Sequence, residues 1–274
     1  MFFTKLLTAT GYIEHLSKVL NPLTKKLYNC PAISSYIFTM SILSGYPLGA
    51  KLTADLFEKG AINREEAHRI CSFTSNSGPL FIVGTVGTSM FCCPTAGYII
   101  LLSHILAALI NGLIYRKYTP KPLKESIELV HADVNSSTMS NAMESSIISV
   151  LLIGGYIAIF FIITEILASF HVFSPIISLF NACGVDSGLT KGVLNGFFEI
   201  TNGCGVVAKL PISIQIKTVL SSFIISFGGL AVAFQGLTFL NKFKISKKYF
   251  FVQKFTHAII AAGLATIFVL VIPL

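Results

Sequence analysis

Five runs decide what this chain can become: residues 27–50, 72–115, 145–164, 218–241 and 255–274 contain no Asp, Glu, Lys or Arg. A helix that crosses a bilayer needs about 20 mostly apolar residues, and every run reaches that length. A soluble domain would carry about 25% charged residues. This chain has 12%, with 53% hydrophobic residues and a mean hydropathy of +0.76. The runs predict an all-α polytopic membrane protein.

Several runs are interrupted by glycine and proline, and the interruptions recur. Gly45 to Lys51 (SGYPLGAK) is echoed by Gly203 to Lys209 (NGCGVVAK), Ser72-Phe73 with Gly78-x-Leu80 by Ser222-Phe223 with Gly228-x-Leu230, and His104 with Ala108 by His257 with Ala261. Three matches in one order predict two copies of one unit. Interrupted apolar segments at corresponding positions in two halves point to a transporter binding site.

The charges assign a layout. Residues 1–29 form an amphipathic N-terminal helix, residues 30–118 the first repeat, residues 119–187 a connector with one transmembrane helix, and residues 188–274 the second repeat. Within the first repeat, 31–58 make a hairpin turning at Ser44-Gly45-Tyr46-Pro47. Residues 63–91 make a helix capped by Asn63 and broken at Asn76-Ser77-Gly78-Pro79, and residues 97–115 make a span. Another span covers 142–168 and leads to a loop containing Pro175. In the second repeat the hairpin is 189–210, with its tip near Thr201-Asn202-Gly203. Residues 212–240 form a helix broken at Gly228-Gly229, and 251–272 the last span. If the basic loops at 116–124 and 242–248 are both cytoplasmic, the copies run antiparallel and each contributes one re-entrant hairpin.

The net charge of +8 follows these loops, so it reads as orientation and predicts no nucleic-acid partner. The six cysteines show no metal or disulfide spacing. No cofactor, metal or catalytic constellation is expected, no P-loop is present, and residues 1–26 do not read as a cleaved signal peptide.

Backbone at a hairpin tip must face protein or an aqueous cavity, because hydrocarbon satisfies none of its polar groups. The expected substrate-binding set is therefore Ser44, Gly45, Tyr46, Lys51, Asn76, Ser77, Gly78, Glu199, Thr201, Asn202, Gly203 and Lys209. Lys51 and Lys209 supply positive charge, or reach back to the membrane surface. Half-helix N-termini after Gly78 and Gly228 favour anions. Glu199 is an intramembrane acid, costly and therefore functional by default. It is open to three roles, as a substrate acceptor, a proton carrier or an ion ligand with Thr201 and Asn202; the competing reading is an ion pair with Lys209 or Lys191. His104 and His257 are expected to pack. Glu144, Glu165, Asp186 and Lys191 are expected at membrane ends.

At SGYPLGAK, SFTSNSGPLFI and GFFEITNG the chain resembles the YlbJ-type sporulation integral membrane proteins, within the nucleoside-recognition or Gate-domain group. The resemblance covers roughly residues 30–274. It implies inverted repeats similar to the core of concentrative nucleoside transporters. It also implies a role in moving dipicolinic acid at the outer forespore membrane, although the cell membrane is the other location compatible with the sequence. The family usually carries further membrane segments before the SGYP motif, where this chain has 43 residues; a shortened paralogue, a late start and a scaffold completed by a partner are the open readings, and a homo-oligomer or a partner membrane subunit is the expected association. The leading expectation is a transporter or facilitator for a small, polar, anionic metabolite. The alternatives are a non-transporting spore-membrane scaffold and a transporter of nucleoside-like substrates.

Overall fold

Glycine and proline place the first turn where the sequence predicts it. In the computed structural model, which describes residues 24–118 and 139–274, helix α1 (Ile33–Ser44) ends at Gly45, whose φ of 73° a side chain would resist. Helix α2 (Leu48–Glu58) runs back beside it. At about 1.5 Å rise per residue, neither arm can cross a hydrocarbon core of about 30 Å alone. Helix α3 (Arg64–Cys71) starts at Asn63. The Asn63 side chain accepts the Glu66 N–H at 2.9 Å, and the Glu66 carboxylate accepts the Asn63 N–H at 2.8 Å. This reciprocal cap satisfies two donors that a helix start otherwise leaves bare.

The interruption after α3 is longer than the four residues expected. The helix stops at Cys71, and regular structure resumes only at Leu80, as a π-helix that runs to Met90. Helix α4 (Pro94–Tyr115) follows, and helix α5 (Met139–Ser169) comes after residues outside the described range. The predicted amphipathic helix at 1–29 lies almost wholly among those undescribed residues, as do Lys121 and Lys124.

The loop expected around Pro175 is a helix, α6 (Ser174–Ala182). Proline in the first turn has no intrahelical N–H to lose, so Pro175 fits the start of this helix where a loop was expected. Helix α7 (Ser187–Phe198), capped by the Asp186 carboxylate, and helix α8 (Ile200–Lys209) form the second hairpin. Helix α9 (Ile214–Phe227) ends at Gly228 with φ 86°, and α10 (Gly229–Leu240) follows at once. Helix α11 (Lys247–Val271) is the last.

The tip of the second hairpin needs correction. It is not at Thr201-Asn202-Gly203 but at Glu199, the one residue between α7 and α8 in extended conformation (φ −144°, ψ 123°). Gly203 lies within α8, where a Cβ would overlap the Cα of Gly196 on α7. Gly45 makes a turn, whereas Gly203 permits a helix crossing; Gly49 on α2 permits a different close approach, that of the Thr74 carbonyl, which a Cβ would overlap. The matched lysines consequently stand at different distances from their turns. Lys51 is in the first turn of α2, and Lys209 is the last residue of α8.

All regular structure among the described residues is helical. Four stretches are long and apolar enough to cross a membrane: Pro94–Tyr115, Ile147–Ser169, Ile214–Leu240 and Lys247–Val271. The chain divides into two compact units. One comprises residues up to Asn76, 108–153 and 235–250; the other comprises 77–107, 154–234 and 251–274. In the first unit Arg64 donates to the Phe243 and Lys244 carbonyls at 3.3 and 3.1 Å, Arg69 donates to the Tyr118 carbonyl at 3.2 Å, and Tyr118 stacks on Tyr249. The loops that follow α2, α4 and α10 therefore meet at one end of that unit.

Candidate functional site

Within the second unit, helices α5, α7 and α8 enclose a groove of about 490 Å³. Its lining is apolar along α5, at Ile157, Phe161 and Ala168, and polar elsewhere: Glu165, Lys191, Asn195, Glu199, Thr201, Asn202 and Lys209. The volume lies within the range of small-molecule pockets, and an apolar wall with a few converging polar groups is their usual chemistry.

Glu199 defines the floor. It is 1% exposed, and its two carboxylate oxygens accept the Thr201 and Asn202 N–H groups at 3.0 and 2.7 Å. The first turn of α8 would otherwise leave these donors unsatisfied, and the carboxylate also meets the positive end of the helix dipole. Thr201 and Asn202 reach Glu199 through their backbone. Among the described residues, Glu199 makes no ion pair with Lys191 or Lys209. Next to it, the Asn202 side-chain amide donates to Asn195 Oδ1 at 3.4 Å, and the Asn195 amide donates to the Lys191 carbonyl at 2.7 Å. The cap fixes the tip and these amides align the wall, leaving Glu165, Lys191 and Lys209 exposed along the groove.

Of the expected site residues, Glu199, Thr201, Asn202 and Lys209 share this groove, and Gly203 packs α8 against α7 just behind it. The others do not join them. Lys51 donates to Ser149 on α5 at 2.9 Å. Asn76 is buried and donates to Ser41 Oγ and the Phe73 carbonyl at 2.9 and 2.8 Å, fixing the interruption to α1. The Ser77 N–H donates to His104 Nε2 at 3.0 Å, and the Gly78 carbonyl accepts from Phe81 and Ile82 as the π-helix begins. Gly45 forms the turn, with Ser44 exposed before it and Tyr46 half-buried after it.

Three polar lining residues were not in the expected set. Glu165 was expected only at a membrane end, Lys191 at a membrane end or paired with Glu199, and Asn195 carried no expectation. The available signal was their spacing: Lys191, Asn195 and Glu199 recur every four residues and so share one face of α7 and its cap.

No family model matches the chain, and no solved structure matches it. The chain is 29% identical over 293 aligned positions to the sporulation integral membrane protein YlbJ of Bacillus subtilis (strain 168), an alignment covering 94% of this chain and 69% of that relative. The four apolar helices and the relative's description agree that this is an integral membrane protein. This similarity, along nearly the whole length of the chain, supports a YlbJ-type assignment.

Proposed function

We propose that this protein moves a small, polar, anionic metabolite across its membrane, and that the groove between α5, α7 and α8 receives it. The observation that carries the reading is the gathering of Lys191, Lys209, Glu165 and the Glu199-capped tip in one cavity of an otherwise apolar chain. Ionisable side chains in membrane segments are expensive and mark substrate paths. Interrupted backbone at membrane depth is tolerated where it lines a cavity or is buried in protein. Glu199 is committed to the α8 N-terminus, so the groups left to meet an anion are the two lysine ammonium groups, with Asn195 and Asn202 as hydrogen-bond partners. In this reading the protein has inverted repeats of the concentrative nucleoside transporter type.

Dipicolinate, a planar aromatic dicarboxylate, suits two lysines and is the first probe. Uptake of labelled dipicolinate and of uridine into reconstituted vesicles tests the reading. Dipicolinate uptake that falls about tenfold or more in Lys191→Ala and Lys209→Ala, as expected for losing a charge-assisted contact, supports it. Uridine uptake in its place favours the nucleoside-like alternative, and uptake of neither favours a scaffold.

A further inference from the structure

The second unit holds another polar cluster, none of whose members lines the groove. His104 on α4, Ser226 on α9, and Lys254 and His257 on α11 are all buried. His104 Nε2 accepts the Ser77 N–H at 3.0 Å, and His104 Nδ1 lies 2.7 Å from Ser226 Oγ. A ring nitrogen that accepts an N–H carries no hydrogen itself, so this bond assigns the ring proton to Nδ1, which donates to Ser226. His257 Nε2 donates to the His104 carbonyl at 3.0 Å, and the two rings lie 4.7 Å apart.

The partners of His104 are not arbitrary. Ser77 ends the irregular stretch and leads through Gly78-Pro79 into the π-helix, while Ser226 stands two residues before the left-handed Gly228 that separates α9 from α10. One imidazole, with one nitrogen on each, therefore joins the two interruptions.

We propose that His104 Nε2 is a proton-binding site that joins the two interruptions when empty and releases the Ser77 amide when filled. The proposal rests on the transport reading, to which it adds the proton as a second ligand. A proton taken from water onto Nε2 turns the acceptor into a donor. Two donors, Nε2–H and Ser77 N–H, then face each other and the bond between them is lost. Rotating the ring restores nothing, because an imidazolium has no accepting nitrogen. The titratable groups that face His104 are His257 and Lys254, both from α11; Ser77 and Ser226 do not titrate in this range. The segment freed by the proton is the entry to the π-helix.

Amide hydrogen exchange of the full chain in detergent tests this. Protection factors for a peptide covering residues 72–82 are followed from about pH 8 down to the lowest pH at which the detergent-solubilised protein keeps its helical content. In the unaltered protein, protection falls about tenfold on acidification, the cost of one buried donor left bare. In His104→Gln, whose amide can both accept from Ser77 and donate to Ser226 but cannot titrate, protection stays flat. A flat profile in the unaltered protein, an acid-sensitive profile in His104→Gln, or a profile abolished by His257→Gln with His104→Gln unaffected would each overturn the proposal. Should His104→Gln not fold, Ser226→Ala keeps the ring but removes its Nδ1 partner. Lower protection at the alkaline end then supports the joint, and unchanged protection overturns it. Exchange needs no substrate, so a failure here leaves the uptake experiment standing, and the reverse also holds.

Discussion

Glu199 shows how one residue's role is set by its two nearest donors. An acid buried among apolar residues looks functional from its cost alone, yet both of its oxygens are engaged by the backbone of the helix it starts. Its contribution is thus first to the shape of the tip and only through that to any ligand. Glu199→Gln keeps the size of the side chain but replaces one accepting oxygen with a donor facing a donor. It is expected to cost about 1–2 kcal/mol, read as a lower melting temperature of the detergent-solubilised protein. Lys209→Ala, exposed at the far end of α8, should leave stability within about 0.5 kcal/mol of the original while weakening dipicolinate uptake. An unaltered melting temperature in Glu199→Gln would show that the cap is not holding the tip.

Among the elements, the second hairpin depends on the contact between Gly196 and Gly203. Neither glycine is needed for an unusual backbone angle; Gly203 lacks a side chain where α8 crosses the backbone of α7 at Gly196, and Gly196 lacks one where α7 meets Ile224 of α9. Gly203→Ala should force the arms apart and destabilise by about 1–3 kcal/mol, the usual cost of overpacking. Gly205 is the control on the same helix, because a Cβ there meets nothing within 4 Å. Gly205→Ala is expected to leave stability unchanged or raise it by up to about 1 kcal/mol through helix propensity. Thermal unfolding of the pair in one detergent separates crossing from propensity, and equal melting temperatures would mean that the close approach is not needed.

For the whole molecule, the question is which ends face which side of the membrane. The structure joins the loops after α2, α4 and α10 through Arg64, Arg69 and the Tyr118–Tyr249 stack. Those loops also carry Lys59, Arg116, Lys117 and Lys244, and Lys247 and Lys248 open α11 directly after them. The positive-inside rule predicts that these loops are cytoplasmic. Single cysteines replacing Lys59, Lys117 and Lys244 in a variant lacking the six native cysteines should react with a membrane-impermeant maleimide from the cytoplasmic side only. Labelling of these three from opposite sides would contradict the joined loops, whereas labelling of all three from the outside would reverse the orientation and keep the fold.

The chain's membrane character, its helical content and most of its interruptions were legible in the sequence because they depend on local quantities. Those quantities are the length of an uncharged run, a glycine where φ must be positive, and an asparagine followed three residues later by glutamate. The second tip was misplaced for the same reason: Gly203 reads as a turn residue, and only its contact with Gly196 reveals a helix crossing. The groove was only half legible, since Glu199 and Lys209 draw notice as charges in apolar sequence and Lys191 shares a helix face with Glu199, whereas Glu165 joins them only because α5 packs beside α7 and α8. His104 and His257 were expected to do no more than pack. Residues 122 and 153 positions away from His104 decide what its ring does, and long-range bonds of that kind leave no periodic mark on the chain.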